Sequence, residues 1–168
     1  MKNIVSILVV FMAFTALQAQ DFRKVNWGMT KSEVKTKEAL MVIEEDKDVL
    51  VYETQLAGYD VYLGYIFTNG KLTRAKYMLK EVYLNNNEYI SDFENLKRLL
   101  TKKYGEPEDS GEIIEEDSYW VKDKTKWGRA ISNGELSLYS MYRTPRTNIE
   151  LYLYSEDYQI INQIEYTS

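Results

Sequence analysis

The chain contains no cysteine and no histidine among its 168 residues. Without cysteine there is no disulfide framework, so the core must hold the fold unaided. Nor is there a lipobox cysteine, so a lipid anchor of the bacterial lipoprotein kind is not expected. The missing histidine removes Ser-His-Asp and Cys-His machinery, ordinary zinc sites and His-based pH switching together. Catalysis would be left with carboxylate, Lys, Tyr or oxygen-ligated metal chemistry. Basic residues are also in deficit, 21 Lys and Arg against 26 Asp and Glu. That balance lacks the basic footprint that nucleic-acid backbones require, so no nucleic-acid partner is expected. No Gly-rich phosphate loop, nucleophile elbow or metal-ligand spacing occurs. The reading therefore assigns no catalytic residue, no cofactor and no metal ligand.

Long apolar runs are confined to the start. Lys2 supplies a positive n-region, Ile4 to Leu17 is almost unbroken apolar sequence, and Ala19 offers a small residue before Gln20. This is the layout of a cleaved secretory signal peptide over residues 1–19, and its 14-residue apolar run is too short for a membrane span. Export to the periplasm or the exterior is expected, with no transmembrane segment in the mature chain. Cleavage leaves about 149 residues and removes Lys2, giving 20 basic against 26 acidic residues. That length suffices for one domain with a sizeable core, or two small repeats sharing one.

Thr30 and Glu33 have the spacing of a capping box, with Met29 and Val34 placed for a hydrophobic staple. They predict a short helix over about Lys31 to Ala39. Gly28 permits a tight turn beside Trp27, whose ring is expected against the core. Strand signals follow at Ala39 to Glu44, Val49 to Gln55, Tyr59 to Phe67 and Leu72 to Tyr83. Asn69-Gly70 supplies a hairpin turn whose central residues both need positive φ. Tyr89, Phe93, Leu96, Leu99 and Leu100 form one face of a second helix, stopped by Gly105 and Pro107. Glu106 to Asp117 reads as a solvated acidic loop. Strand signals resume at Tyr119 to Val121. A second hairpin is expected from Gly128 to Ser132 and Leu136 to Tyr142 around Asn133-Gly134, and strands at Ile149 to Tyr154 and Ile160 to Tyr166 close the chain. Arg143 and Arg146, in the stretch joining two strands, are expected to pair with carboxylates of the chain itself.

Thr68-Asn69-Gly70-Lys71-Leu72 is echoed by Ser132-Asn133-Gly134-Glu135-Leu136, 64 residues later. The echo, with the blocks of helix and strands, predicts an α+β fold: an antiparallel sheet with helices on one face, built of two tandem helix-plus-β-meander repeats, 20–84 and 85–168, in one compact domain. Tyrosine is abundant, at 15 residues. Tyr suits strands as an aromatic β-former. Yet Tyr62, Tyr139, Tyr152 and Tyr154 alternate against aliphatic neighbours, which puts them on the side away from the helices. Rigid amphipathic rings on such a face favour binding, so these four are the candidate partner-binding residues, for a protein or glycan of the cell envelope.

The stretch Trp27-Gly28-Met29-Thr30-x-x-Glu33-Val34 resembles the helix entrance of small exported bacterial domains, including the SmpA/OmlA (BamE) outer-membrane assembly family. The two-repeat layout resembles the β-lactamase-inhibitor-protein-like fold, in which two such repeats form a concave sheet. Leu100 to Pro107 and Thr147-x-Ile149-x-Leu151 are similar to elements of uncharacterised proteins of this type. The resemblance implies a non-catalytic binding scaffold or envelope-accessory module. Two alternatives stay open: a carboxylate-based hydrolase and a calcium-stabilised secreted domain.

Overall fold

The computed structural model describes residues 20–115 and 118–168. The expected leader at 1–19 and two residues of the acidic stretch, Glu116 and Asp117, lie outside the described residues. Helix α1 (Lys31–Glu38) begins as its sequence requires: Glu33 N–H donates to Thr30 Oγ1 and Thr30 N–H donates to Glu33 Oε2 at 2.7 Å. Ala39, at φ +54°, ends it in a left-handed turn. Four strands follow in a meander: β1 (Val42–Asp46), β2 (Val49–Leu56), β3 (Tyr59–Thr68) and β4 (Lys71–Leu79). Asn69 and Gly70 join β3 to β4 with φ of +51° and +74°, the pair of positive angles that a type I′ turn demands.

Helix α2 (Asn87–Tyr104) stops at Gly105, whose N–H donates to Thr101 O at 2.9 Å. Then come β5 (Asp109–Ile114), two short 3₁₀ turns (Trp120–Lys122 and Lys124–Lys126), α3 (Trp127–Ser132), β6 (Leu136–Thr144), β7 (Thr147–Glu156) and β8 (Gln159–Thr167). The eight strands form one antiparallel open sheet in the order β1-β2-β3-β4-β8-β7-β6-β5. Each group of four therefore meets the other through its final strand, with Ala75 opposite Tyr166 and Tyr77 opposite Ile164. The fold is α+β, with three α-helices among the described residues.

Three expectations need correction. Glu106 to Asp117 is not simply a loop, because Asp109–Ile114 forms edge strand β5 against β6. Its acids stay solvated at the edge, and Gly111 leaves room for the Tyr139 ring, so the charge density does not oppose pairing. Gly128 to Ser132 lies in helix α3 rather than in a strand. Gly128 explains this: a Cβ there would meet the Asn86 carbonyl carbon at 2.5 Å and Asn87 N at 2.6 Å, so the helix sits directly on the start of α2. Its N–H donates to Asn87 Oδ1 at 2.9 Å. Asn133-Gly134 accordingly ends a helix instead of turning a hairpin, and the second Asn-Gly pair has a different job from the first. The strand expected near Tyr119 to Val121 is replaced by the 3₁₀ turn at Trp120–Lys122.

One face of the sheet carries the core. Leu63, Tyr77, Ile164 and Leu151 follow one another across β3, β4, β8 and β7 in register, all buried. Phe93, Leu96 and Leu100 of α2 and Val34 of α1 are buried in the same core. Each such side chain contributes about 1.5–3 kcal/mol by leaving water. Leu99, on the predicted apolar face of α2, remains exposed. A charged group is buried with them: the Glu38 side chain is inaccessible, and its Oε1 accepts from Arg23 Nε at 3.2 Å and from the Tyr65 hydroxyl. Arg23 also donates from Nη1 to Tyr77 Oη at 3.2 Å. This network ties the N-terminal segment and the end of α1 onto β3 and β4.

Candidate functional site

The side of the sheet opposite the core has no helix on it among the described residues, and it carries all four tyrosines singled out by alternation. Strand alternation alone dictates this, because successive side chains point to opposite faces. Tyr62 lies between buried Val61 and Leu63, Tyr139 between Leu138 and Ser140, and Tyr152 between Leu151 and Leu153. Tyr154 continues the same face of β7.

Register adds what alternation cannot supply. Glu53, Tyr62, Met78, Gln163, Tyr152, Tyr139 and Gly111 stand directly opposite one another in succession, one residue from each of seven strands. Three of the four tyrosines thus belong to a single row running across the sheet. Neighbouring strands lie about 4.8 Å apart, so Tyr62 and Tyr139, four strands apart, are separated by about 19 Å. Tyr154 sits two residues along β7, opposite Ile161 in β8. The row joins rings, a thioether and an amide: rigid contact area with hydrogen-bonding tips and few charges.

Local contacts fix the rings at both ends. The Tyr139 ring lies over Gly111, where a Cβ would meet its Oη at 3.3 Å and its Cε1 at 3.5 Å. Tyr139 Oη donates to Asp109 Oδ2 at 3.2 Å, and its ring centroid is 6.4 Å from that of Tyr152. At the other end the Lys80 ammonium stands 4.9 Å from the Tyr62 ring centroid and pairs with Glu53 at 2.9 Å. Tyr62 is 38 % exposed, while Tyr139, Tyr152 and Tyr154 are half-buried by their neighbours. Partial desolvation raises the phenols of Tyr139, Tyr152 and Tyr154, reinforced by nearby carboxylates: Asp109 for Tyr139, Glu150 for Tyr152 and Glu156 for Tyr154. At neutral pH these hydroxyls are protonated; that of Tyr139 donates to Asp109.

Other sequence-level candidates fall elsewhere. Trp27 packs against the core, with Nε1 donating to Thr147 Oγ1 at 3.0 Å. Arg143 pairs with Glu108 at 3.4 Å and Arg146 with Asp21 at 2.9 Å, the internal pairing expected of them. Among the described residues, no three acidic side chains converge into a group that would hold a metal ion. Sequence reading missed a basic aromatic cluster before and within α3. There the Arg129 guanidinium lies 4.3 Å from the Trp120 ring centroid, Lys124 lies 4.7 Å from that of Trp127, and Lys126 approaches both Tyr119 and Trp120. The available signal was composition: Tyr119, Trp120 and Trp127 share eleven positions with Lys122, Lys124, Lys126 and Arg129. No protein family, curated protein or solved structure matches this chain.

Proposed function

We propose that this chain is a non-catalytic binding module, exported through a cleaved signal peptide, that presents the helix-free face of its sheet to a protein or glycan partner in the cell envelope. The observation that carries this reading is the single in-register row of Tyr62, Met78, Gln163, Tyr152 and Tyr139. Aromatic rings held on strands lose little conformational freedom when they are covered, and their hydroxyls supply directional bonds at the rim of an apolar contact. Carrying the rings on strands rather than loops fixes their spacing before any partner arrives.

The same proposal treats residues 20–84 and 85–168 as tandem helix-plus-strands repeats. What supports it is the mirrored strand order, in which β4 and β8 close their own halves and pair with each other. A row crossing that seam would draw its tyrosines from both halves, Tyr62 from the first and Tyr139 and Tyr152 from the second. In this reading the module is periplasmic or secreted.

The test compares the chain from Gln20 to Ser168 with a variant in which Tyr62, Tyr139, Tyr152 and Tyr154 are changed to Ser. Both are immobilised and exposed to the host's envelope fraction, after circular dichroism establishes that the variant is folded. A partner held by the native chain and lost by the folded variant supports the proposal. A partner held equally by both removes the sheet face from consideration.

A further inference from the structure

The core side of the sheet has an opening of its own, independent of the tyrosine row. A cleft of about 600 Å³ lies over the seam between β4 and β8. Tyr77 and Tyr166 line it from the two seam strands, and the Phe22 ring packs on both, with centroids 5.4 and 4.7 Å away. The last turn of α2 adds Lys103 and Tyr104, and the β6–β7 turn adds Arg146. Volume and aromatic lining both fall within the range of small-molecule sites.

Its charge runs against that of the whole chain. Three cations, Arg23, Lys103 and Arg146, face it with one carboxylate, Asp21, in a protein whose formal charge is −5. Each guanidinium is held by a carboxylate, Arg23 by one outside the cleft and Arg146 by one that lines it. Glu38, wholly buried, accepts from Arg23, and Asp21, whose side chain is 2 % exposed, accepts from Arg146 at 2.9 Å. Neither arginine uses all five of its N–H donors among the described residues. Lys103 forms no ion pair among the described residues, and its ammonium rests 4.8 Å from the Tyr104 ring centroid. Two oriented forks and one uncommitted ammonium thus surround an aromatic pocket. That combination fits a molecule with an apolar body and one planar anionic head.

We propose that this cleft binds a carboxylate-headed amphiphile, its apolar body against Phe22, Tyr77 and Tyr166 and its head among Arg23, Lys103 and Arg146. Dodecanoate, used below its micelle concentration, is the probe, titrated calorimetrically against dodecanol and acetate. Dodecanoate should bind saturably with one site. Dodecanol, which keeps the body and loses the charge, should bind at least tenfold more weakly, and acetate should give no measurable heat. Lys103→Glu should weaken dodecanoate tenfold or more. Lys102→Glu, the same charge change on the neighbouring exposed residue that does not line the cleft, should leave it within threefold. The folded four-serine variant of the opposite face should bind dodecanoate like the native chain, which separates this site from the tyrosine row. Absence of saturable dodecanoate binding by the native chain, equal binding of dodecanol, or equal losses in the Lys102 and Lys103 variants would each overturn the proposal. The comparison of dodecanoate with dodecanol needs no variant, so it decides even if a substitution disturbs folding.

Discussion

Replacing Glu38 by Ala removes the acceptor that holds the buried Tyr65 hydroxyl and the part-buried Arg23 guanidinium. Arg23 loses a charge-assisted hydrogen bond, a loss of about 1.5–3 kcal/mol, and the Tyr65 hydroxyl is left without its acceptor, costing about 1–3 kcal/mol more. The Arg23 side chain is 23 % exposed and can regain some water, which moves the total toward the lower end, about 3 kcal/mol. For a folded region of this size, 1 kcal/mol corresponds to about 2–4 °C, so the melting temperature should fall by about 6–12 °C. Urea unfolding followed by tryptophan fluorescence measures the free energy directly. Combining Glu38→Ala with Arg23→Met supplies the sharper check. Once the guanidinium is gone, the Glu38 substitution should cost about 1–2 kcal/mol less than it does alone. A loss below about 1 kcal/mol for Glu38→Ala, or strict additivity in the double variant, would refute the idea that the pair is coupled and buried.

Alkaline pH should destabilise the fold through three buried phenols. Burial raises Tyr65, Tyr77 and Tyr166, with the Glu38 contact adding to the effect at Tyr65. The folded state then keeps protons that the unfolded chain releases from about pH 10, so their stabilisation is complete below that pH and is lost above it, at up to about 1.4 kcal/mol per pH unit for each phenol. Melting temperatures that stay level from about pH 10 to 11.5 would contradict this. Gly128→Ala should cost about 1–3 kcal/mol in urea titration, because its Cβ meets backbone rather than a side chain that can move. Thr30→Ala should cost about 1 kcal/mol by the same titration, the usual worth of an N-cap that satisfies a backbone N–H.

Much of this fold is written locally. The Thr30–Glu33 box, the Asn69-Gly70 turn and the Gly105 stop are each decided by residues within a few positions of one another, and each forms where its chemistry places it. The face of the four tyrosines is also legible, because alternation is a property of a single strand. Register is not. That Tyr62, Tyr152 and Tyr139 share one row depends on β4 pairing with β8, a contact between residues about 90 positions apart in sequence. Similarly, Asn133-Gly134 is a hairpin signal in sequence, but the segment before it is helix α3, packed with Gly128 against Asn86 and Asn87, a contact about 40 positions away in sequence. Edge strand β5 stays hidden because a charge-rich sequence can pair on one side while its acids face water. Arg23 and Glu38, 15 positions apart, carry no motif that announces a buried pair, so the cationic cleft built on them was unreadable as well.

The β4–β8 seam also bears on the order in which the protein can be made. Among the described residues β8 is the last strand in sequence, yet it lies inside the sheet, between β4 and β7, and makes the one strand pairing that joins the two groups of four. Until Gln159–Thr167 emerges, β4 and β7 both present open backbone edges beside apolar rows, the arrangement that templates aggregation. Closure must therefore follow synthesis of β8 rather than accompany the growing chain, and a product truncated before residue 159 would be left with two adhesive halves. The position of one strand makes closure of the whole sheet wait on Gln159–Thr167.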